Sequence, residues 1–438
     1  MKNDLEKKVM RKVTLRIIPF IMLLYFIAFL DRVNIGFAAL TMNQDLGFSP
    51  TVFGLGAGIF FLGYFLFEVP SNLILHKVGA RIWIARVMIT WGFVSGCMAF
   101  VQGTTSFYIL RFLLGVAEAG FFPGIILYLS YWFPAARRAQ VTAIFMAAAP
   151  LSTALGSPVS AALLEMHGFL GYAGWQWMFV LEALPALVLG VVVLFFLTDR
   201  PAKAKWLTDQ ERAWLENAMQ DEERARAAKQ SHSSAWRGLA DIRVLALALA
   251  LVYFGTSAGL YTLGIWSPQI IRSFGASSLE IGFLNAFPAV IGVIAMILWA
   301  RHSDRTKERS WHVIGACLLA VAGLIYAGNV STLFTVMVAL TLVTVGISAS
   351  KPPLWSMPTL FLSGPAAAAG IAAINSIGNL GGFVGPMMIG VIREQTGSYS
   401  WGLYFVAGLL ALSALVVMIL SARANKSPTA ELPHPHTH

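Results

Sequence analysis

The chain is 438 residues long, 57% hydrophobic and only 12% charged, with a mean hydropathy of +0.71. A soluble domain carries about 25% charged residues, so this composition excludes that class. The formal net charge of +10 invites a nucleic-acid partner, but the basic residues are dispersed among short gaps between apolar blocks. They do not gather into one patch, and no nucleic-acid partner is expected.

The apolar blocks run to about twenty residues or more, enough to cross a bilayer as helices. They lack the polar–apolar alternation of barrel strands. The expected fold is an all-α membrane protein with twelve transmembrane helices in two pseudo-symmetric six-helix bundles. The first six spans fall at 17–39, 52–74, 82–101, 106–132, 140–165 and 176–197. The second six fall at 243–270, 278–300, 311–328, 333–361, 366–392 and 401–421. This gives an N-terminal bundle over 1–197, a cytoplasmic linker over 198–242, a C-terminal bundle over 243–422 and a disordered cytoplasmic tail over 423–438.

Lys2, Lys7, Lys8, Arg11 and Lys12 precede the first span, and no cleavable signal peptide is evident. That span contains FIAFLDRVNIG, where Asp31 and Arg32 stand side by side in an apolar run. Each costs several kcal/mol to insert. Adjacent helical side chains point about 100° apart, so the two charges must face different partners. Tyr64 lies in the second span, followed by a turn with Lys77, Gly79 and Arg81. The fourth span carries Arg111 and Glu118, nearly two turns apart on one face with a rise of about 10.5 Å.

The linker contains WLTDQERAWLENAM, where Thr208 and Glu211 form a capping-box pattern. Leu207, Trp214, Leu215, Ala218 and Met219 recur at helical spacing, so an amphipathic helix is expected. The turn after the eighth span holds Arg301, Asp304, Arg305, Lys307 and Arg309. The alternate gaps are nearly free of Lys and Arg, apart from Arg272 and Arg393. That bias places both termini in the cytoplasm. In the tenth span, Lys351 opens KPPLWSMP, where consecutive prolines are expected to break the helix beside Trp355. Asn375 and Asn379 share a face of the eleventh span. Cys97 and Cys317 lie in apolar runs and imply no disulfide. The terminal His434, His436 and His438 read as a disordered end rather than a metal site.

These stretches resemble the major facilitator superfamily and, within it, the anion:cation symporter family. The resemblance rests on FLDRVNIG, PSNLILHKVGARIWIAR, RFLLGVAEAGFFPGIILYLSYWFP, GWQWMFVLEALP, LTDRPAKAKWLTDQER and AINSIGNLGGFVGP. It is greatest toward permeases for tartrate, phthalate and hydroxyphenylacetate; glucarate and galactonate carriers are more distant. One departure is His76, which stands where the family's first loop motif has Asp; the second copy keeps Asp304.

The resemblance implies that the first and fourth spans face one cavity. An anion there needs fixed positive partners, and the planar fork of Arg suits carboxylate. The expected substrate-binding residues are Arg32, Arg111, Tyr64, Lys351, Trp355, Asn375 and Asn379. Asp31 and Glu118 are the expected proton-coupling acids, a role the resemblance assigns to these positions; Asp31 alternatively orients Arg32. Lys77, Gly79, Arg81, Asp304 and Arg305 form the gating-loop motif. Glu68 and Glu182 are expected near helix ends in structural roles. The function implied is proton-coupled import of a small organic carboxylate, driven by the proton gradient without a cofactor or metal. The protein is expected to be a monomer in the inner membrane. An enzyme is not expected, because the His residues lie in loops or the tail and neither an HExxH nor a GxSxG site is expected. A drug exporter and a non-transporting sensor of the same fold are the remaining alternatives.

Overall fold

Backbone polar groups in hydrocarbon have no water to bond, so apolar runs close their hydrogen bonds within single helices. A computed structural model describes residues 2–230, 239–361 and 373–426, and every regular element among them is helical. Eleven of these helices are long and apolar enough to cross a membrane. The expected eleventh span, 366–392, lies partly outside the described residues; its remainder includes the helix Gly381–Thr396. The last helix, Ser400–Lys426, continues past the expected boundary at 422, and the rest of the expected tail lies outside the described residues.

One span read as continuous is broken beside its charged residue, and another carries only a local irregularity. The first span passes from Lys2–Val33 to Ile35–Asp45 through Asn34, which keeps right-handed helical angles and 2.9 Å hydrogen bonds to Leu30 and Ala38. The fourth divides into Thr104–Glu118 and Phe121–Trp132, with Gly120 at φ +84° between them. A side chain at Gly120 would be strained by that φ and would also collide with Ser71, so the break depends on glycine there. The Ser71 hydroxyl donates to the Ala119 carbonyl at 2.6 Å, occupying an acceptor at the break. The tenth span corrects the opposite expectation. Leu333–Phe361 runs unbroken through Pro352 and Pro353. Neighbouring helices and hydroxyl side chains tolerate proline in membrane helices, and the Ser350 hydroxyl donates to the Ile347 carbonyl at 2.8 Å.

The early and late spans meet along three seams: the second span against the eleventh, the fifth against the eighth, and Ile35–Asp45 against the seventh. The seams are tight. A Cβ on Gly54 would stand 2.7 Å from the Pro386 carbonyl, and one on Gly36 would stand 2.6 Å from that of Ile265. The Thr51 amide donates to Glu394 at 2.9 Å, and Asn285 joins Ser267 at 2.5 Å to Ser157 at 2.9 Å. These contacts concentrate toward the end of the bundle remote from the N-terminus. At the other end, Phe121–Trp132 and the tenth span make no comparable contact among the described residues.

The linker folds as its pattern predicts. Thr208 and Glu211 exchange capping hydrogen bonds of 3.0 and 3.3 Å at the start of Asp209–Gln230, and Leu207 and Leu215 are buried. Glu211 accepts from Lys12 at 2.8 Å, fastening the linker to the first helix. The Lys12 hydrogen bond, followed by the Thr208 amide, holds the Glu211 carboxyl below the usual carboxylate range. Its contribution to docking is therefore complete above the ordinary Glu value of about 4.3 and disappears as pH falls through the lowered folded value. Glu211→Gln is expected to speed limited tryptic cleavage after Arg212 and Arg224 several-fold at neutral pH. Unchanged cleavage would show that the linker is held elsewhere.

Candidate functional site

The end of the first span's long helix and the break at Gly120 bring charged groups to one place. Arg32 lies in the last turn before Asn34, and Glu118 is the last helical residue before Gly120. The Arg32 guanidinium contacts the Glu118 carboxylate directly and also donates to the Tyr261 hydroxyl of the seventh span at 2.8 Å. Its Cζ lies 5.4 Å from the ring centres of Phe60 and Tyr64 and 5.9 Å from that of Tyr261. Arg32, Glu118 and Tyr64 are all buried. The cluster thus draws on the first, second, fourth and seventh spans.

Asp31 faces another way, as the angular argument requires. It accepts from the Trp91 indole at 2.5 Å, from the Ser95 hydroxyl at 3.2 Å and from the Asn34 amide at 3.4 Å. That same amide donates to Glu182 at 2.9 Å, and Ser160 donates to the other Glu182 oxygen at 2.6 Å. Asp31 and Glu182 are therefore joined through one amide, with only neutral donors around them.

The Arg111 guanidinium donates to the Gly56 and Ala57 carbonyls at 3.3 and 3.1 Å, and its Cζ lies 5.2 Å from the centre of the Phe60 ring that Arg32 approaches to 5.4 Å. Its Nη1 is buried with no hydrogen-bond partner among the described residues. Close packing of the second and fourth spans brings those carbonyls within its reach. A Cβ on Gly115 would collide with the Phe60 carbonyl. Shared helix face was a sound inference for Arg111 and Glu118, but depth along the helix separates their partners.

Glu68 and Glu182, placed near helix ends by the sequence reading, are buried within their spans. Glu68 accepts from Asn375 at 2.6 Å and Ser376 at 2.8 Å, tying the second span to the eleventh. Asn379 accepts from Tyr253 at a long 3.5 Å, and Trp355 packs edge-on to Tyr253 with 5.0 Å between ring centres. Lys351 is half-buried and makes no hydrogen bond or ion pair among the described residues. Tyr253, Trp355 and Asn379 thus form a second polar group.

The loop motif is distributed differently from its sequence order. Gly79 turns the chain at φ +98°, Lys77 is exposed, and the side chain of His76 lies outside the described residues. Arg81 finds its carboxylate in the linker: its amide donates to Asp199 at 2.9 Å, and its guanidinium lies 3.7 Å from the same group. In the second copy Asp304 pairs with Arg309 at 2.6 Å, and Arg305 is exposed.

Sequence reading did not single out Asn34, Trp91, Ser160, Asp199, Tyr253 or Tyr261. The Asn34 signal was present, a polar amide in an apolar run beside two charges. A lone Tyr in a glycine-containing span carries no comparable signal. The run GTSAG over 255–259 also has the GxSxG spacing, but Ser257 lies inside the helix Leu239–Arg272. A nucleophile elbow requires a strand-to-helix turn, so this run is not one.

A family model described as "Major Facilitator Superfamily" matches residues 21–386. An Agrobacterium vitis protein named "Putative tartrate transporter" is 74% identical over 99% of this chain and 96% of its own length. An Acinetobacter baumannii protein named "Quinolone resistance transporter" is 40% identical over 97% of this chain and 98% of its own length. Among solved structures, an inward-facing, occupied bacterial homologue of the human lysosomal transporter Spinster superimposes with a TM-score of 0.76 at 15% identity. It covers 95% of this chain and 98% of that one. The multi-span helical fold, the buried charges within its spans and these matches agree: the chain belongs to the Major Facilitator Superfamily and is a membrane transporter.

Proposed function

We propose that the protein imports a small organic carboxylate together with protons, with a tartrate-like dicarboxylate as the leading substrate class. The observation that carries this reading is Arg32, a buried guanidinium held by one carboxylate, Glu118, at the break of the fourth span. Broken helices near mid-membrane are where secondary transporters bind their ligands. A proton on Glu118 would weaken its hold on Arg32 and leave the Arg fork to a substrate carboxylate. Charge then balances in both states: Arg32 with Glu118 when empty, Arg32 with the anion when Glu118 carries the proton. Asp31 is the second proton-coupling candidate.

Tyr64 lines the Arg32 end. Trp355, Asn379, Asn375 and Lys351 supply the opposite wall, with Lys351 answering a second carboxylate. Arg111 holds the second and fourth spans together through the Gly56 and Ala57 carbonyls, and its buried Nη1, unpartnered among the described residues, keeps it a candidate partner for the substrate anion. The 74% identical Agrobacterium relative supports tartrate. The aromatic side chains around Arg32 and Trp355 suit a phthalate- or hydroxyphenylacetate-like acid, and glucarate- or galactonate-like sugar acids are a further class. The Acinetobacter relative's name brings drug export into consideration, against which a guanidinium-centred cluster argues. The proposed setting is the bacterial inner membrane with both termini cytoplasmic, the protein acting as a monomer. The tightly packed end then faces outward.

Uptake by proteoliposomes under an inward proton gradient tests the substrate class. The panel comprises tartrate, phthalate, hydroxyphenylacetate, glucarate, galactonate and a quinolone. Accumulation of tartrate above the others supports this reading; failure of every carboxylate, or outward movement of the quinolone alone, overturns it.

A further inference from the structure

Away from the charged cluster, a groove of about 640 Å³ lies between the first helix, the end of the sixth span and the start of the linker. Lys12, Arg16, Pro19 and Leu23 form one wall, Phe196 and Trp206 the other. The four residues of the first wall recur at helical spacing, so they share one face. Their chemistry changes along it, from two cations near the N-terminus to apolar surface deeper in the span.

The rise from Lys12 to Leu23 is about 16 Å at 1.5 Å per residue, close to half of a hydrocarbon core of about 30 Å. The groove therefore matches one leaflet in depth. Its open side faces lipid, with Leu15 63% and Leu23 44% exposed. Arg16 sits 4.7 Å from the Phe196 ring and 5.2 Å from the Trp206 ring, which hold its planar head in place. Trp206 is itself stacked on Trp132 at 5.4 Å. Among the described residues no carboxylate pairs with Arg16, whereas Lys12 is engaged by Glu211. A fixed, uncompensated guanidinium at headgroup level above an apolar channel complements a phosphate that carries acyl chains.

We infer that this groove binds an anionic phospholipid from the leaflet nearest the N-terminus. The phosphate meets Arg16, and an acyl chain lies along Pro19 and Leu23. Because Trp206 belongs to the linker and Arg16 to the first helix, the lipid bridges the two.

The test uses the purified full chain in neutral detergent. Native mass spectrometry reports retained phosphatidylglycerol against phosphatidylcholine of identical acyl chains, and thermal unfolding is followed in parallel. The wild type is expected to retain phosphatidylglycerol about fivefold better, the factor corresponding to about 1 kcal/mol for one basic residue at an anionic surface. Its unfolding temperature should rise with that lipid and not with soluble glycerol phosphate. Arg16→Gln should lose the preference, and Arg301→Gln, an exposed cation on the same side but outside the groove, should keep it. Leu23→Trp fills the apolar channel and should lower retention while leaving Arg16 in place, so it tests the groove even if Arg16→Gln does not fold. Equal retention of the two lipids by the wild type would overturn the inference. So would an undiminished preference in Arg16→Gln, wild-type retention in Leu23→Trp, or an equal shift with glycerol phosphate.

Discussion

Glu118→Gln is expected to lower proton-driven accumulation of tartrate by at least about tenfold while leaving tartrate–tartrate exchange within about threefold of the wild type. A tenfold change corresponds to about 1.4 kcal/mol, well within what a lost protonation step removes. Gln keeps the size of Glu and can still accept from Arg32, but it cannot release a proton. The Arg32 fork then stays available to substrate in every conformation, so exchange continues while uphill movement stops. The measurement is paired uptake and counterflow in the same proteoliposome preparation. Equal loss of both activities would mean that Glu118 holds the bundle together or touches substrate itself. Asp31→Asn provides the comparison. Asp31 bonds to Trp91, Ser95 and Asn34 rather than to Arg32, so its loss should impair accumulation without freeing the guanidinium. If only one of the two variants uncouples, that acid carries the transported proton.

Arg32→Ala should abolish stabilisation by tartrate altogether. Removing one member of a buried ion pair costs about 3–5 kcal/mol, largely because the partner is left buried and unpaired. Spent on substrate binding, that range corresponds to a loss of affinity of about two to four orders of magnitude. Tyr261→Phe deletes one hydrogen bond to the same guanidinium. It should weaken binding by the about 0.5–1.5 kcal/mol typical of such a bond, roughly two- to tenfold. Thermal shift across a tartrate titration reads both variants. Full retention of the tartrate-induced shift in Arg32→Ala would remove this residue from the binding site.

The contrast between Arg32 and Arg111 shows what residue type and spacing can establish. Each is a cation in a membrane span, and each was expected to face the substrate. Only the packing distinguishes their partners: Arg32 meets Glu118 and Tyr261, whereas Arg111 meets the Gly56 and Ala57 carbonyls and keeps one buried nitrogen without a partner among the described residues. Those carbonyl contacts depend on how closely the second and fourth spans approach, which no single-span pattern reveals. The divergence of Asp31 from Arg32, by contrast, follows from helix geometry alone, and the structure reproduces it.

Helix continuity was legible in neither direction. Asn34 keeps right-handed helical angles and its hydrogen bonds to Leu30 and Ala38, so the first span passes through it with only a local irregularity. Gly120 looked like one more small residue in a glycine-containing span, although its positive φ is what ends the helix after Glu118. Pro352 and Pro353 carried the strongest breaking signal and the helix passes through them. At the two prolines tertiary context overrode local preference, whereas at Gly120 the break uses the freedom of glycine itself. Spans and linker cap were readable because they rest on hydrophobic length and on a local hydrogen-bond pattern. Partners drawn from distant segments, such as Tyr261 for Arg32 and Asp199 for Arg81, were not.

The central claim is that carboxylate and proton move together through the Arg32–Glu118 pair. Proteoliposomes loaded with a pH-sensitive dye and given no imposed gradient test it most directly. Adding external tartrate should acidify the lumen in wild-type vesicles and leave it unchanged in Glu118→Gln vesicles that still exchange tartrate. Tartrate entry into wild-type vesicles with no luminal acidification would contradict the account.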